Sequence, residues 1–113
     1  MTKEKRNGAI VVDLDRMVEF AKEGIVSKTV ADKPHAKIIL FSMAAGQYLS
    51  EHTASMPATI HVLRGKGEVK LGRKWHAVKP GAWIHMRTGL DHAVKAAEDL
   101  VFLVTLFRGE PPK

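Results

Sequence analysis

Glycine-containing turns divide the chain from residue 45 onward into short segments. The turns are Ala45-Gly46, Gly65-Lys66-Gly67, Gly72-Arg73, Lys79-Pro80-Gly81 and Thr88-Gly89. Glycine adopts the positive φ that tight turns need, and proline fixes the φ of a turn position. The apolar segments between these turns have the length of β-strands, and no helical stretch of 10–15 residues separates them. This spacing excludes a parallel α/β sheet and predicts a β-sandwich or barrel.

We predict an all-β domain of eight strands preceded by a short helix. The predicted strands are residues 25–30, 37–43, 59–63, 68–71, 75–78, 82–86, 93–96 and 100–107. Asp13 can cap a helix that runs from residue 14 to about residue 23 and ends at Gly24. Its apolar residues at helical spacing are Leu14, Met17, Val18 and Ala21.

The length and composition limit the kind of protein this can be. The 113 residues suit one domain, spanning 1–113, with frayed ends at 1–8 and 108–113. The absence of cysteine excludes disulfides, cysteine nucleophiles and thiolate metal sites. No apolar run approaches the ~20 residues of a membrane helix. The charged start has no apolar region of a secretory signal behind it, so we expect a cytoplasmic protein without a membrane partner.

The net charge of +6 is concentrated between residues 64 and 79. That window holds six basic residues and one acid, Glu68. A basic stripe can bind nucleic acid, but it is also typical of a hairpin with lysines on its exposed face. No recognition helix, zinc finger or aromatic RNA-binding motif accompanies it. A nucleic-acid partner is therefore not expected.

Histidine is the main candidate for metal binding and for acid–base chemistry in a chain without cysteine. Two of the six histidines, His52 and His92, follow glycine turns in similar settings. The motif around the first is Gly46-x5-His52 followed by Val62-Leu63-x-Gly65-x-Gly67. The second motif is Pro80-Gly81, a strand, and Gly89-x-x-His92.

These two motifs resemble those of the cupin superfamily, and most closely the small single-domain cupins of the conserved-barrel type. Many of those are uncharacterised bacterial proteins. The resemblance covers residues 37 to about 106. It implies a double-stranded β-helix, which is a jelly-roll barrel of antiparallel strands. It also implies that His52 and His92 stand at metal-ligand positions on facing strands.

The sequence departs from the family pattern at the other ligand positions. Ala54 stands where metal-binding cupins have a second histidine, and Ala58 stands where they have glutamate or histidine. A metal site normally needs three or more protein ligands. We therefore expect no tightly bound cofactor, and at most weak binding of Mn, Fe, Ni or Zn by His52 and His92.

His61 and His85 are secondary candidates. Strand alternation places Ile60 and Val62 on the same face as Ala58, so His61 should point away from the cavity unless a bulge reverses it. His85 shares a face with Trp83, and the sequence leaves open which face that is.

The leading interpretation is an uncharacterised cupin that binds or senses a small molecule in its barrel. The predicted cavity residues are His52, His92, Ile60, Val62, Ile84 and Phe102. The alternative is a metal-dependent cupin enzyme of the dioxygenase, isomerase or decarboxylase type. A third class is a regulator whose basic hairpin meets an acidic partner or nucleic acid. The sequence assigns no catalytic residue among these classes.

The chain is also predicted to form a homodimer. Runs such as residues 38–41 and 100–104 place apolar side chains on both faces of their strands. An apolar outer face usually marks an interface, and a helix of about ten residues is too short to cover it. The outer sheet face and the N-terminal segment are the expected contact.

Overall fold

The structure is a computed structural model and describes residues 8–109. The described part of the chain contains one short helix, α1 (Leu14–Met17), followed by nine strands. The strands are β1 (Ile25–Lys33), β2 (Ala36–Met43), β3 (Tyr48–His52), β4 (Ala58–Arg64), β5 (Gly67–Leu71), β6 (Lys74–Val78), β7 (Trp83–Met86), β8 (His92–Ala96) and β9 (Leu100–Phe107). No helix within residues 8–109 is long and apolar enough to cross a membrane.

The strands form two antiparallel sheets that face each other. One has the order β1-β2-β9-β4-β7 and the other the order β3-β8-β5-β6. Strand β2 pairs with β9, β3 with β8, β4 with β7 and β5 with β6. These strand pairs are nested within one another, as in a single long hairpin whose tip lies between β5 and β6. The hairpin is rolled into a barrel. The predicted all-β jelly roll with a short N-terminal helix is confirmed.

Alternation along the strands separates an inner face from an outer face, as β9 shows most clearly. Leu100 and Phe102 belong to the core between the sheets, and Val104 and Leu106 pack against it. Val101 and Leu103 belong to a second apolar cluster on the outer side of the five-stranded sheet. Successive side chains of a strand point to opposite faces, so an apolar run such as this one supplies both clusters.

The helix prediction was correct at its start and wrong at its end. The Asp13 side chain accepts a hydrogen bond from the Asp15 N–H, as expected of a cap. The helix stops at Met17, and Val18 is already extended, with φ −63° and ψ 128°. The Glu19 N–H then donates to Ser42 Oγ on the outer face of β2. The helix ends here because Val18 and Phe20 pack on that face of the sheet. This packing provides apolar contacts that a longer, solvent-exposed helix would lack.

The strand predictions are right within one to three residues, except that β3 was not predicted. The ends predicted to fray, 1–8 and 108–113, lie outside the described residues except for positions 8, 108 and 109. Arg108, however, is anchored. Its guanidinium donates to Asp32 and to the carbonyl of Lys33, and its N–H donates to the His35 carbonyl. Arg108 is therefore held by the rest of the fold.

Candidate functional site

A cavity of about 250 Å³ opens between the two sheets at the end of the barrel where β3 finishes and β4 and β8 begin. Its lining is apolar except for two histidines and a threonine. The lining residues are Ile39, Phe41, Leu49, His52, Thr53, Ala54, Ala58, Ile60, Met86, His92, Val94, Phe102, Val104 and Leu106. Such a concave apolar site with a few polar groups is typical of a small-molecule site.

A β-bulge in β3 places His52 in this cavity. Leu49 pairs with Val94, but His52 pairs with His92, so β3 carries one extra residue between the two pairs. Regular alternation from Leu49 would point Glu51 inward. With the extra residue, Glu51 points outward and its carboxylate lies 2.9 Å from Lys70 Nζ, while His52 lines the cavity.

His52 and His92 are therefore neighbours on adjacent strands of one sheet, rather than on facing strands as expected. Their ring centroids are 4.1 Å apart, with an angle of 60° between the ring planes. His92 is buried, with 6% of its surface exposed, whereas His52 is exposed at the rim. The two imidazoles are close enough to contact one bound molecule together.

The same backbone contact holds each imidazole. His52 Nδ1 lies 2.9 Å from the carbonyl oxygen of Ser50, and His92 Nδ1 lies 2.9 Å from that of Leu90. A carbonyl oxygen can only accept, so Nδ1 carries the proton in both rings. In the neutral imidazole, Nε2 then keeps its lone pair and is a hydrogen-bond acceptor.

His92 favours the neutral form. Burial lowers the pKa of His92 below its ordinary value, and the neighbouring His52 lowers it further. The Leu90 carbonyl and the Asp91 carboxylate act in the opposite direction without reversing the result. The buried ring therefore remains an acceptor at neutral pH.

The donor set does not fit a tightly held metal ion. Within residues 8–109, no group of three or more His, Cys, Asp or Glu side chains is placed to hold one. Ala54 and Ala58 line the cavity beside the histidines, but their methyl groups have no ligand atom. Two imidazole nitrogens are fewer than the three protein ligands of an ordinary catalytic site.

The other predicted cavity residues divide into two groups. Ile60 and Phe102 line the cavity with the two histidines. Val62 and Ile84 do not. Val62 is buried one alternate position further along β4, in the closed part of the core, and Ile84 packs against that core. Side chains fill that part of the barrel, whereas the cavity opens at the end where β3 finishes and β8 begins.

The secondary candidates lie outside the cavity. His61 and His85 are exposed, and neither lines the cavity. His61 pairs with Trp83 across β4 and β7, and the rings of Trp83 and His85 are 6.5 Å apart. Trp83, 63% exposed, lies on the same outer face. The bulge that would have turned His61 inward is absent at that point, because β4 and β7 pair regularly from Ala58 to His61.

Sequence reasoning missed much of the cavity wall. Continuing the alternation from Phe102 along β9 would have identified Val104 and Leu106. Phe41, which stacks on Phe102 with ring centroids 5.1 Å apart and planes within 3°, is revealed only by the pairing of β2 with β9. Leu49 was missed because β3 itself was not predicted.

Comparison with known proteins gives consistent results. A family model described as "Cupin domain" matches residues 39–106. No curated protein matches the chain.

Solved structures extend the likeness over most of the chain. A conserved protein of unknown function from Streptococcus pyogenes, SPY1581, is 24% identical, with 97% of this chain and 96% of that chain covered and a TM-score of 0.80. An RmlC-like cupin protein from Desulfovibrio desulfuricans is 30% identical, with coverages of 80% and 89% and a TM-score of 0.75. A cupin 2 conserved barrel domain protein from Leptotrichia buccalis is 31% identical, with coverages of 85% and 47% and a TM-score of 0.77.

Proposed function

The chain belongs to the cupin domain family, and from that premise we propose that it binds a small molecule in the cavity between its two sheets. His52 and His92 serve as the polar recognition groups. Cupin barrels host many chemistries, so the fold by itself does not select this function. The observation that carries the proposal is the pair of imidazoles, 4.1 Å apart, at one end of an otherwise apolar cavity.

The size and lining of the cavity support a ligand of about one ring. An apolar cavity of about 150 Å³ is large enough to hold benzene. The cavity of this cupin has about 250 Å³ and is lined mainly by aliphatic and aromatic side chains. Burying the apolar body of a ligand there supplies affinity, while the two imidazoles fix its orientation.

A metal-dependent enzyme is the competing assignment. It would need a third ligand from water or substrate, because Ala54 and Ala58 contribute only methyl groups to the cavity lining. Binding of an organic molecule needs no further group. The proposal is therefore a metal-independent binding or sensing role.

Methyl NMR tests this role directly. We expect neutral single-ring compounds, added one at a time, to shift the methyl resonances of Ile39, Met86 and Val94, which line the cavity. The methyls of Val30 and Leu63 belong to the outer cluster and should not move.

A blocking variant completes the test. Ala54 is half-buried at the cavity wall, so Ala54→Trp should fill the entrance and abolish these shifts. Ala77→Trp is the matched control, because Ala77 is exposed on β6 and does not line the cavity. Shifts that survive Ala54→Trp, or that also appear at Val30 and Leu63, would contradict the proposal.

A further inference from the structure

The hydrogen-bonding capacity of the cavity is one-sided. His52 and His92 each use the Nδ1 proton on a backbone carbonyl two residues earlier in the chain. What each neutral ring can offer to a ligand is therefore the lone pair of Nε2. The protein supplies two adjacent acceptors, and a ligand must supply the donors.

Nothing in the described part of the chain satisfies these acceptors. The Nδ1 contacts are the hydrogen bonds that the structure assigns to the two imidazoles. Among the described residues, every fully buried side-chain nitrogen or oxygen has a hydrogen-bond partner. Because Nε2 of His92 has no such partner, this atom is not fully buried, although only 6% of the residue is exposed. His92 lines the cavity, so Nε2 is accessible from the cavity.

The lining has no charge to offer. It contains no lysine, arginine, aspartate or glutamate, and Thr53 is the polar residue besides the two histidines. Placing a carboxylate or phosphate there would desolvate the anion against two acceptors, which is costly without a paired cation. A buried ammonium would lack a carboxylate partner in the same way.

The remaining surface suits a flat apolar body. The stacked rings of Phe41 and Phe102 form part of the lining, and aliphatic side chains from both sheets complete it. Such walls favour a ring or a short branched chain over a polyol, because every further hydroxyl would need a partner that they do not provide.

Resting on the proposed function, we infer that the ligand is an uncharged, ring-sized hydroxy compound of the phenol class, whose hydroxyl groups donate to Nε2 of His52 and His92. One hydroxyl can bond to His92, and a vicinal second hydroxyl can bond to His52 at the rim. The apolar remainder of the ligand then contacts Phe102 and the walls.

A matched series of rings separates this inference from the broader function. We would titrate the full chain at pH 8 with phenol, catechol, toluene and benzoate, and follow the cavity methyls by NMR. Phenol should bind about tenfold more tightly than toluene, as expected for one net hydrogen bond, and catechol more tightly still. Benzoate should bind most weakly of the four.

Variants identify the groups responsible. His92→Leu should reduce the preference for phenol over toluene to near unity while toluene still binds. His52→Leu should remove the additional preference for catechol. His85→Leu is the matched control, because His85 is exposed outside the cavity, and it should change neither ratio.

Should His92→Leu fail to fold, the wild-type chain still decides. There, phenol should bind more tightly than toluene, and catechol more tightly than phenol. Equal binding of phenol and toluene, or tightest binding of benzoate, would overturn the inference and leave the cavity function intact. Failure of all four compounds to shift the cavity methyls would overturn the proposed function itself.

Discussion

His52 and His92 lie directly opposite each other across the β3–β8 ladder, and their ring centroids are 4.1 Å apart. Each ring is held by the backbone carbonyl two residues before it, Ser50 for one and Leu90 for the other. Strands β3 and β8 therefore each provide one imidazole Nε2 acceptor to the same cavity. In addition to the ligand series, we make four predictions from this arrangement and from the two sheets that support it.

The first prediction concerns metal. Ala54 and Ala58 line the cavity beside the two histidines, so Ala54→His with Ala58→Glu would provide four ligand side chains. We expect the double variant to bind Zn²⁺ or Ni²⁺ at least about tenfold more tightly than the wild type, measured by calorimetry. The same pair of substitutions in a His92→Gln chain is the control and should lose most of the gain. A wild-type chain that keeps one metal ion per protein during dialysis against a chelator would refute the two-ligand interpretation.

The second prediction concerns pH. Burial holds the pKa of His92 below its ordinary value of 6.5, so the unfolded chain binds this proton at a higher pH than the folded chain does. Above about pH 6.5 both states are neutral and the contribution of His92 to stability is complete. As the pH falls below about 6.5, the unfolded state gains protons first and the free energy of unfolding decreases.

Urea denaturation at pH 7.5 and pH 5.5 measures this effect. The loss of stability between the two pH values should be smaller for His92→Gln than for the wild type. His85→Gln, at an exposed position, should keep the wild-type loss. Equal losses in the wild type and His92→Gln would show that another group controls the acid sensitivity.

The third prediction concerns the turn before β5. Gly65 has a φ of +83°, and a Cβ added there would overlap the carbonyl oxygen of Asp99. Gly46 has a similar φ of +86°, but a Cβ there would meet nothing within 4 Å. Gly46→Ala should cost about 1–2 kcal/mol from the backbone conformation alone. Gly65→Ala should cost more than about 3 kcal/mol, because the backbone must also move. Similar unfolding free energies for the two variants would rule out the overlap as a factor.

The fourth prediction is a homodimer. Residues of the N-terminal segment, among them Met17 and Phe20, already cover part of the outer face of the five-stranded sheet. Trp83, on the edge strand β7, is left 63% exposed on that face. We expect light scattering at micromolar concentration to give twice the 12.5 kDa chain mass.

Two variants locate the contact. Trp83→Ser should shift the population towards the monomer. Tyr48→Ser should not, since Tyr48 is 49% exposed but belongs to the four-stranded sheet. A wild-type mass of one chain at all concentrations would eliminate the dimer.

The sequence by itself determined eight of the nine strands and, through the family resemblance, the fold they make. Turn positions such as Gly72 and Gly81, both at positive φ, limit the length of each strand and fix where the chain reverses. Alternation within a strand then predicted that Ile60 faces inward and His61 outward, because this periodicity is a local property of extended backbone.

Tertiary structure decided what depends on pairing between distant segments. The bulge that turns His52 inward and Glu51 outward is a difference of one residue between β3 and β8, and it exists only when those strands are aligned. In the same way, the predicted helix ends early because Val18 and Phe20 contact an outer sheet face formed by strands far along the chain. Val62 and Ile84 fall outside the cavity because side chains from both sheets meet and fill that part of the barrel. The local sequence pattern determines which face of its strand a side chain occupies. Whether that side chain meets open space or other side chains depends on how strands that are distant in the sequence pack together.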